Sequence, residues 1–290
     1  MSLKRVSKKT ILITGGNGVL GSYFYNKYKK KYKIIPFTHR LEQFNKLEKW
    51  IGKKTFDYFI HFAAITPRKK KNYSNINLIN TVLPIKILKF LRKNSIKNFR
   101  YFLFISSSHV YGYYKKKISE NNQRKPFNEY GDTKKRVEDF IFKNRKLFNF
   151  KIGIARIFNF TSEKQNLGYF IPDIYQKIKE KKILVDLNNN RDFIHIDDVA
   201  RSLELMIKKK FDSPLNICSG VKTNLISLSK KLNLMTFKKD IIFKNSKNKL
   251  KQDICGNNAL LKKLGLKKFK NLNIILKSFL YGKKTDTNYR

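Results

Sequence analysis

The order of apolar segments predicts an α/β fold built on a doubly wound parallel sheet, with a smaller lobe towards the C-terminus. Three observations carry this. Short β-branched runs alternate with longer stretches of helical spacing over residues 1–158. The runs are apolar throughout rather than at every second position, as strands covered on both faces are. The first run ends in glycines, and a helical stretch leaves directly from them. With 290 residues and 41% hydrophobic content, the chain can bury a large core, which excludes disorder.

Thr10-Ile11-Leu12-Ile13-Thr14 reads as the first buried strand, and residues 21–31 as the helix after it. Ile34-Ile35-Pro36-Phe37 is a second strand, its proline near the end. Leu41, Phe44, Leu47 and Ile51 recur at helical spacing. Residues 56–64 form a third apolar run, 78–91 an apolar helix, 101–106 a strand, 130–142 a helix and 152–158 a strand. After Phe158 the rhythm breaks, with polar loops at 161–166 and 188–190. This predicts a first domain over 1–158. Residues 159–290 then make mainly the smaller lobe, with 191–209 packing back on the first domain.

Lys and Arg total 65 against 20 acids, a net charge of +45. Such an excess raises nucleic acid, anionic membranes and anionic substrates as partners. The basic residues are spread along the chain, though, and runs at 29–31, 69–71, 115–117 and 208–210 read as solvated turns or helix ends. The chain is equally rich in Asn, Ile and Phe, so compositional bias explains the charge better than a nucleic-acid surface does. The two cysteines, Cys218 and Cys255, form no metal-ligand spacing and no disulfide framework, so no metal is expected and a reducing cytoplasm fits. No apolar stretch of signal-peptide or membrane-spanning length is present, so no membrane partner is expected.

Gly15, Gly18 and Gly21 stand at G-x-x-G-x-x-G spacing where strand turns into helix. The first permits the tight turn, the second lets a pyrophosphate approach the backbone, and the third lets the helix pack on the sheet. Val19 and Leu20 open the helix whose N-terminus would face that anion. With a strand before it and a helix after it, the pattern points to a Rossmann-type sheet and a dinucleotide ligand rather than to a merely structural turn. At the end of the second strand stands Thr38-His39-Arg40, with no acid before Glu42. A guanidinium there suits a 2′-phosphate, so NADP(H) is expected over NAD(H), with NAD(H) left open.

Tyr130-Gly131-Asp132-Thr133-Lys134 puts a tyrosine and a lysine four apart, on one helix face. A phenol is a weak acid or base at neutral pH, and a neighbouring ammonium brings its pKa towards the working range. Ser106, Ser107 and Ser108 follow a buried strand, with Ser107 23 residues before Tyr130. A hydroxyl there can hold a substrate oxygen while Tyr130 exchanges its proton. Such a serine run is also ordinary turn chemistry.

Taken together, these segments resemble the extended short-chain dehydrogenase/reductase family of nucleotide-sugar epimerases, dehydratases and 4-keto reductases. The likeness runs from residue 10 to about residue 264 and adds Asp57-Tyr58-Phe59-Ile60-His61-Phe62-Ala63-Ala64, Asn80, and Ser107-Ser108-His109-Val110-Tyr111-Gly112. Ala155-Arg156-Ile157-Phe158-Asn159, Arg191-Asp192-Phe193-Ile194-His195-Ile196-Asp197-Asp198-Val199 and Asn216-Ile217-Cys218-Ser219-Gly220 follow in the family's order.

The resemblance implies Ser107 as the polarising hydroxyl, with Ser108 as its alternate and a substrate contact. It implies Tyr130 as acid/base, and Lys134 as the group that lowers its pKa and binds ribose. Gly15, Gly18, Val19, Leu20, Arg40, Ala63, Ala64 and Asn80 would hold the cofactor with Tyr130 and Lys134. Asn159 and Arg191 would hold the sugar nucleotide, Arg191 at its diphosphate. His61 and His195 are read as structural, and Asp197 and Asp198 as caps of a helix starting near Val199.

The chain departs from the family's pattern in three places, one of them the lack of the usual proline after the helix in residues 253–265. Only 21 residues separate Arg40 from His61, the short form seen in the NADPH-using deoxysugar reductases. Ser108-His109 stands where the dehydratases carry Asp-Glu, which disfavours dehydration. The expected activity is reduction of a nucleoside-diphosphate 4-keto-6-deoxysugar, or else 4-epimerisation with retained NAD. A remote alternative is a non-catalytic dinucleotide-binding protein with an RNA or protein partner. The helices at 78–91 and 130–142 carry more apolar positions than one face needs, and by resemblance a homodimer is expected there.

Overall fold

In the computed structural model, residues 8–66, 75–94, 96–244 and 252–287 are described. The lysine run at 69–71 lies outside them. The first half lays down β1 (Thr10–Thr14), α1 (Val19–Tyr28), β2 (Lys33–Pro36), α2 (Phe44–Gly52) and β3 (Tyr58–His61). A π turn, Leu78–Val82, runs into α3 (Leu83–Lys93); β4 (Tyr101–Ser107), α4 (Glu129–Asn144) and β5 (Lys151–Ile157) follow. Then come β6 (Asn159–Thr161), α5 (Phe170–Lys179), β7 (Leu184–Val185), β8 (Asn190–Arg191), β9 (Phe193–His195), α6 (Ile196–Lys209) and β10 (Pro214–Ile217). The chain closes with β11 (Thr223–Asn224), α7 (Leu225–Met235), β12 (Phe243–Lys244), α8 (Ala259–Leu264) and α9 (Leu272–Thr287).

Six strands form one parallel sheet in the order β10-β5-β4-β3-β1-β2. Because side chains alternate along a strand, β1 feeds both cores: Ile11 and Ile13 enter one, Leu12 the other. The first core joins α1 (Phe24) to α6 (Val199, Leu203), β10 (Leu215) and α8 (Leu261). Segments beyond 191–209 therefore also pack on the sheet. The second core joins α2 (Leu47), α3 (Leu88) and α4 (Val137) to Phe59 and Phe102. A separate cluster binds α5, α7 and α9 into the smaller lobe through Ile174, Leu228 and Phe279. Among the described residues, no helix is long and apolar enough to cross a membrane.

Local structure departs from the sequence expectations at three points. Helix α1 begins at Val19 rather than Gly21, because extended Gly18 already serves as its N-cap. The 78–91 helix opens as a π turn closed by Leu83 N–H to the Leu78 carbonyl. Pro84 explains it: the ring lacks an N–H and would press on the carbonyl four residues back, which a wider turn relieves. Third, α6 starts at Ile196, and His195 caps it by accepting the Asp197 N–H at 3.1 Å. Asp197 and Asp198 are therefore not caps. Asp197 takes Lys27 at 2.6 Å and Tyr23 at 3.0 Å, while Asp198 pairs with Arg201 and accepts the Lys270 N–H at 2.7 Å.

Candidate active site

The C-terminal ends of β1, β3, β4 and β5 open on one cavity of about 360 Å³, roofed from the lobe by Tyr169, Phe170 and Ile171. Parallel sheets place their ligands at this edge, because the turns leaving the strands and the first turns of the helices converge there. The glycine turn makes the floor. Gly15 holds φ +69°, and a Cβ on it would lie 2.5 Å from the Ala63 nitrogen. A Cβ on Gly21 would lie 2.2 Å from the Gly15 oxygen, so the helix seats directly on the turn. A Cβ on Gly18 would meet only the Gly15 oxygen, at 3.3 Å, so its open side forms a cradle that any other residue would fill. No side chain caps α1. Its first N–H groups, from Val19 and Leu20, have no partner within the helix and suit an anion.

A second hollow of about 320 Å³ continues from this turn and is lined by Gly16, Thr38, His39, Glu42, Ala63 and Ala64. Arg40 is exposed and stands outside that lining, whereas Glu42 is part of it. Asn80 lines neither cavity. It is fully buried and clamps the backbone of Ile65, accepting its N–H and donating to its carbonyl, both at 2.8 Å. That clamp fixes the chain leaving β3, and a longer bond reaches Thr133 of α4 at 3.4 Å.

Ser107, Tyr130 and Lys134 meet along one wall of the larger cavity. β4 delivers Ser107 at its last residue, and α4 presents Tyr130 and Lys134 one turn apart. Asn128 starts that helix, its Oδ1 accepting the Gly131 N–H at 2.9 Å. Gly131 is required there: a Cβ would fall 2.3 Å from the His109 carbonyl, so the helix lies directly on the Ser108–Val110 turn. The Ser107 Oγ accepts the His109 N–H at 3.2 Å, and its hydroxyl lies close enough to the Tyr130 phenol to favour the phenolate.

Burial pushes the Tyr130 phenol up to about 12, with the Ser107 hydroxyl pulling the other way. The expected lowering by Lys134 is not what dominates. Lys134 is itself 1% exposed, and burial brings its ammonium down to about 7 against the pull of Glu138. Asn159 lines the cavity and donates to the Asp192 carbonyl at 3.3 Å. Ser108 is buried and lines neither cavity. Arg191 also stands outside the lining, donating through Nη1 to the Asn190 carbonyl at 3.0 Å and to the Gln252 carbonyl.

Two features were not legible in the sequence. Arg156 and Glu138 form a buried ion pair behind the wall, Nη2 to Oε2 at 2.6 Å, with Ser106 donating to Glu138 at 2.6 Å. Arg156 Nη1 also donates to the Tyr111 hydroxyl at 2.7 Å, which in turn bonds Asn216 at 2.7 Å. Glu138 carries a faint signal, since it lies one turn past Lys134 on the same face. His109, which stands in sequence where the dehydratases carry a carboxylate, enters the lining beside Tyr130. Among the described residues lining the larger cavity, none is Asp or Glu. The histidines read as structural lie apart from that lining, and His61 is fully buried with Nδ1 on the Thr14 hydroxyl at 2.9 Å.

Over residues 11–218 the chain matches the NAD dependent epimerase/dehydratase family. An uncharacterized UDP-glucose epimerase of Bacillus subtilis is 26% identical over 236 residues, covering 69% of this chain and 72% of its own length. Among solved structures, RMD from Pseudomonas aeruginosa complexed with NADPH superposes with a TM-score of 0.82 at 19% identity, covering 96% of this chain and 99% of that one. UDP-glucuronic acid 4-epimerase from Bacillus cereus, in complex with UDP-glucuronic acid and NAD, gives 0.79 at 21% identity, covering 95% and 99%. The structural likenesses establish a shared fold.

Proposed function

This chain belongs to the NAD-dependent epimerase/dehydratase family, and we propose that it transfers hydride at a ring carbon, C4, of a nucleoside-diphosphate sugar, reducing a 4-keto-6-deoxysugar. The observation that carries this reading is the pairing of Ser107 with Tyr130 on a cavity wall whose described lining has no carboxylate. Oxidation and reduction at a carbinol need a proton donor for oxygen and no carboxylate to take a proton from carbon. The neutral state of buried Tyr130 suits the reductive direction, in which the residue begins as an acid.

A nicotinamide dinucleotide bound at the glycine turn supplies the hydride. Gly15, Gly18, Val19 and Leu20 would hold its pyrophosphate, with Ala63 and Ala64 against the dinucleotide and Asn80 keeping that strand exit in shape. The cradle at Gly18 and the uncapped helix fit such a group. Ser107 and Tyr130 would hold the ketone oxygen between them, and Tyr130 would release its phenolic proton as the carbinol forms. Lys134 would stabilise the phenolate left behind and hold ribose. Asn159 would bind the sugar and Arg191 the diphosphate, with Ser108 supporting the turn beneath. We favour NADP(H), with Arg40 meeting a 2′-phosphate from the mouth of the second hollow; Glu42 on that lining is the group that would favour NAD(H). On this reading residues 1–158 bind the dinucleotide, 159–290 mainly the sugar nucleotide, and α3 and α4 form the face of a homodimer.

A second reading, nucleotide-sugar 4-epimerisation with retained cofactor, is favoured by the Bacillus subtilis relative. It uses the same side chains in both directions. The deciding experiment follows nicotinamide absorbance with NADPH and with NADH over a panel of nucleoside-diphosphate sugars. Stoichiometric NADPH consumption with a 4-keto-6-deoxysugar supports the reductase; interconversion of two sugars without consumption supports the epimerase. Neither event with any sugar defeats both.

A further inference from the structure

His109 lines the cavity beside Tyr130, its ring edge-on to the phenol at 5.5 Å between centroids and 84° between planes. Phe127 packs on it at 4.9 Å. Two backbone contacts and one side-chain contact fix the residue. The His109 carbonyl abuts Gly131, its backbone N–H is on the Ser107 Oγ, and Asn128 Nδ2 lies 3.1 Å from its Nδ1. The last contact also settles the tautomer. Asn128 Oδ1 accepts the Gly131 N–H that starts α4, so the amide turns its NH₂ towards the ring. Nδ1 must then accept, and the ring proton sits on Nε2. Among the described residues Nε2 has no hydrogen-bond partner, nor is it an orphaned buried atom, so it opens on the cavity.

We propose that His109 is a fixed, uncharged hydrogen-bond donor to the sugar, its Nε2–H meeting a hydroxyl or carbonyl oxygen beside the reacting carbon. The proposal deepens the reading of this cavity as a nucleotide-sugar site and rests on it. Burial brings the imidazolium down to about 4, with the Asn128 contact opposing and the Arg191 guanidinium assisting, so the ring is neutral at neutral pH. A neutral ring with its proton on Nε2 neither gives up a proton readily nor takes one from carbon through that atom. The position therefore selects sugars by a hydrogen bond and supplies no acid or base.

Two variants separate this from a packing role. His109→Phe keeps an aromatic ring against Phe127 and Tyr130 and loses the donor; His109→Gln keeps an amide donor near Nε2 and loses the ring. The proposal expects kcat/KM for the sugar to fall roughly ten-fold or more in the Phe variant, and to stay within about three-fold of the parent in the Gln variant. The Kd for the dinucleotide should be unchanged in both. A Phe variant as active as the parent, or equal losses in both, overturns it. Should the parent protein turn over no sugar, the proposed function fails, and His109 is read instead by ¹⁵N NMR of the full chain with UDP-glucose. An Nε2-protonated ring whose signal moves on addition supports the donor. A doubly protonated ring or an unmoved signal overturns it.

Discussion

Glu138 stands one turn beyond Lys134 on α4; both are buried, Lys134 on the cavity wall and Glu138 behind it. The carboxylate is held by Arg156 through Nε and Nη2, by Arg124 at 3.2 Å, and by the Ser106 hydroxyl. It is the one group that raises the Lys134 pKa against burial. The ion pair behind the site thus keeps a charge on the lysine within it.

Glu138→Gln removes that support. Lys134 carries its proton below a pKa near 7, and loss of the carboxylate lowers this further. If the ammonium is needed, the basic limb of the kcat/KM profile moves to lower pH, and activity at neutral pH falls. Arg156 loses its buried counter-ion and keeps only neutral partners such as the Tyr111 hydroxyl, so stability drops by about 3–5 kcal/mol. A pH profile and a denaturant titration read the two effects separately. A limb that stays in place shows that Lys134 does not act as a cation.

Tyr130→Phe removes the proton donor while leaving the ring against His109. Turnover should fall about 10²–10⁴-fold. Dinucleotide affinity, measured by fluorescence titration, should change little. A Phe variant that retains turnover would transfer the acid role away from Tyr130.

Arg40→Ala tests the cofactor preference. With the guanidinium on a 2′-phosphate, NADPH affinity falls about ten-fold, or about 1.4 kcal/mol, while NADH affinity holds. The ratio of the two dissociation constants is the measurement. Equal effects on both cofactors would leave Glu42, on the hollow's lining, as the determinant.

Two glycines predict opposite outcomes. Gly15→Ala forces a side chain into φ +69° and into the Ala63 backbone, so dinucleotide binding and melting temperature should both fall. Gly52→Ala, at the end of α2 with nothing within 4 Å of the new Cβ, should raise stability by about 0.4–1 kcal/mol. Thermal denaturation of the pair checks both signs.

Much of the architecture was legible because its signals are local. Apolar runs such as Ile11-Leu12-Ile13 announce buried strands, the glycine spacing announces a turn that only glycine can make, and Tyr130 and Lys134 share a face by helical geometry alone. The positions of Ser107, Tyr130, Lys134 and Asn159 around one cavity follow from where those elements end. Arg40, read from its charge at the end of the second strand, and Arg191, placed by the family resemblance, both stand outside the cavity linings.

The amino-acid sequence by itself determined the parallel α/β frame, the glycine turn and the Tyr-Lys face, because hydrophobic period and backbone sterics act over a few residues. Only the tertiary structure decided that Pro214–Ile217 completes the sheet, that Asn128 sets the tautomer of His109, and that Arg156 and Glu138 pair beneath Lys134. These depend on residues 18 or more positions apart meeting out of water. Desolvation, which moves Tyr130 up and Lys134 down, likewise exists only once the chain has closed around them.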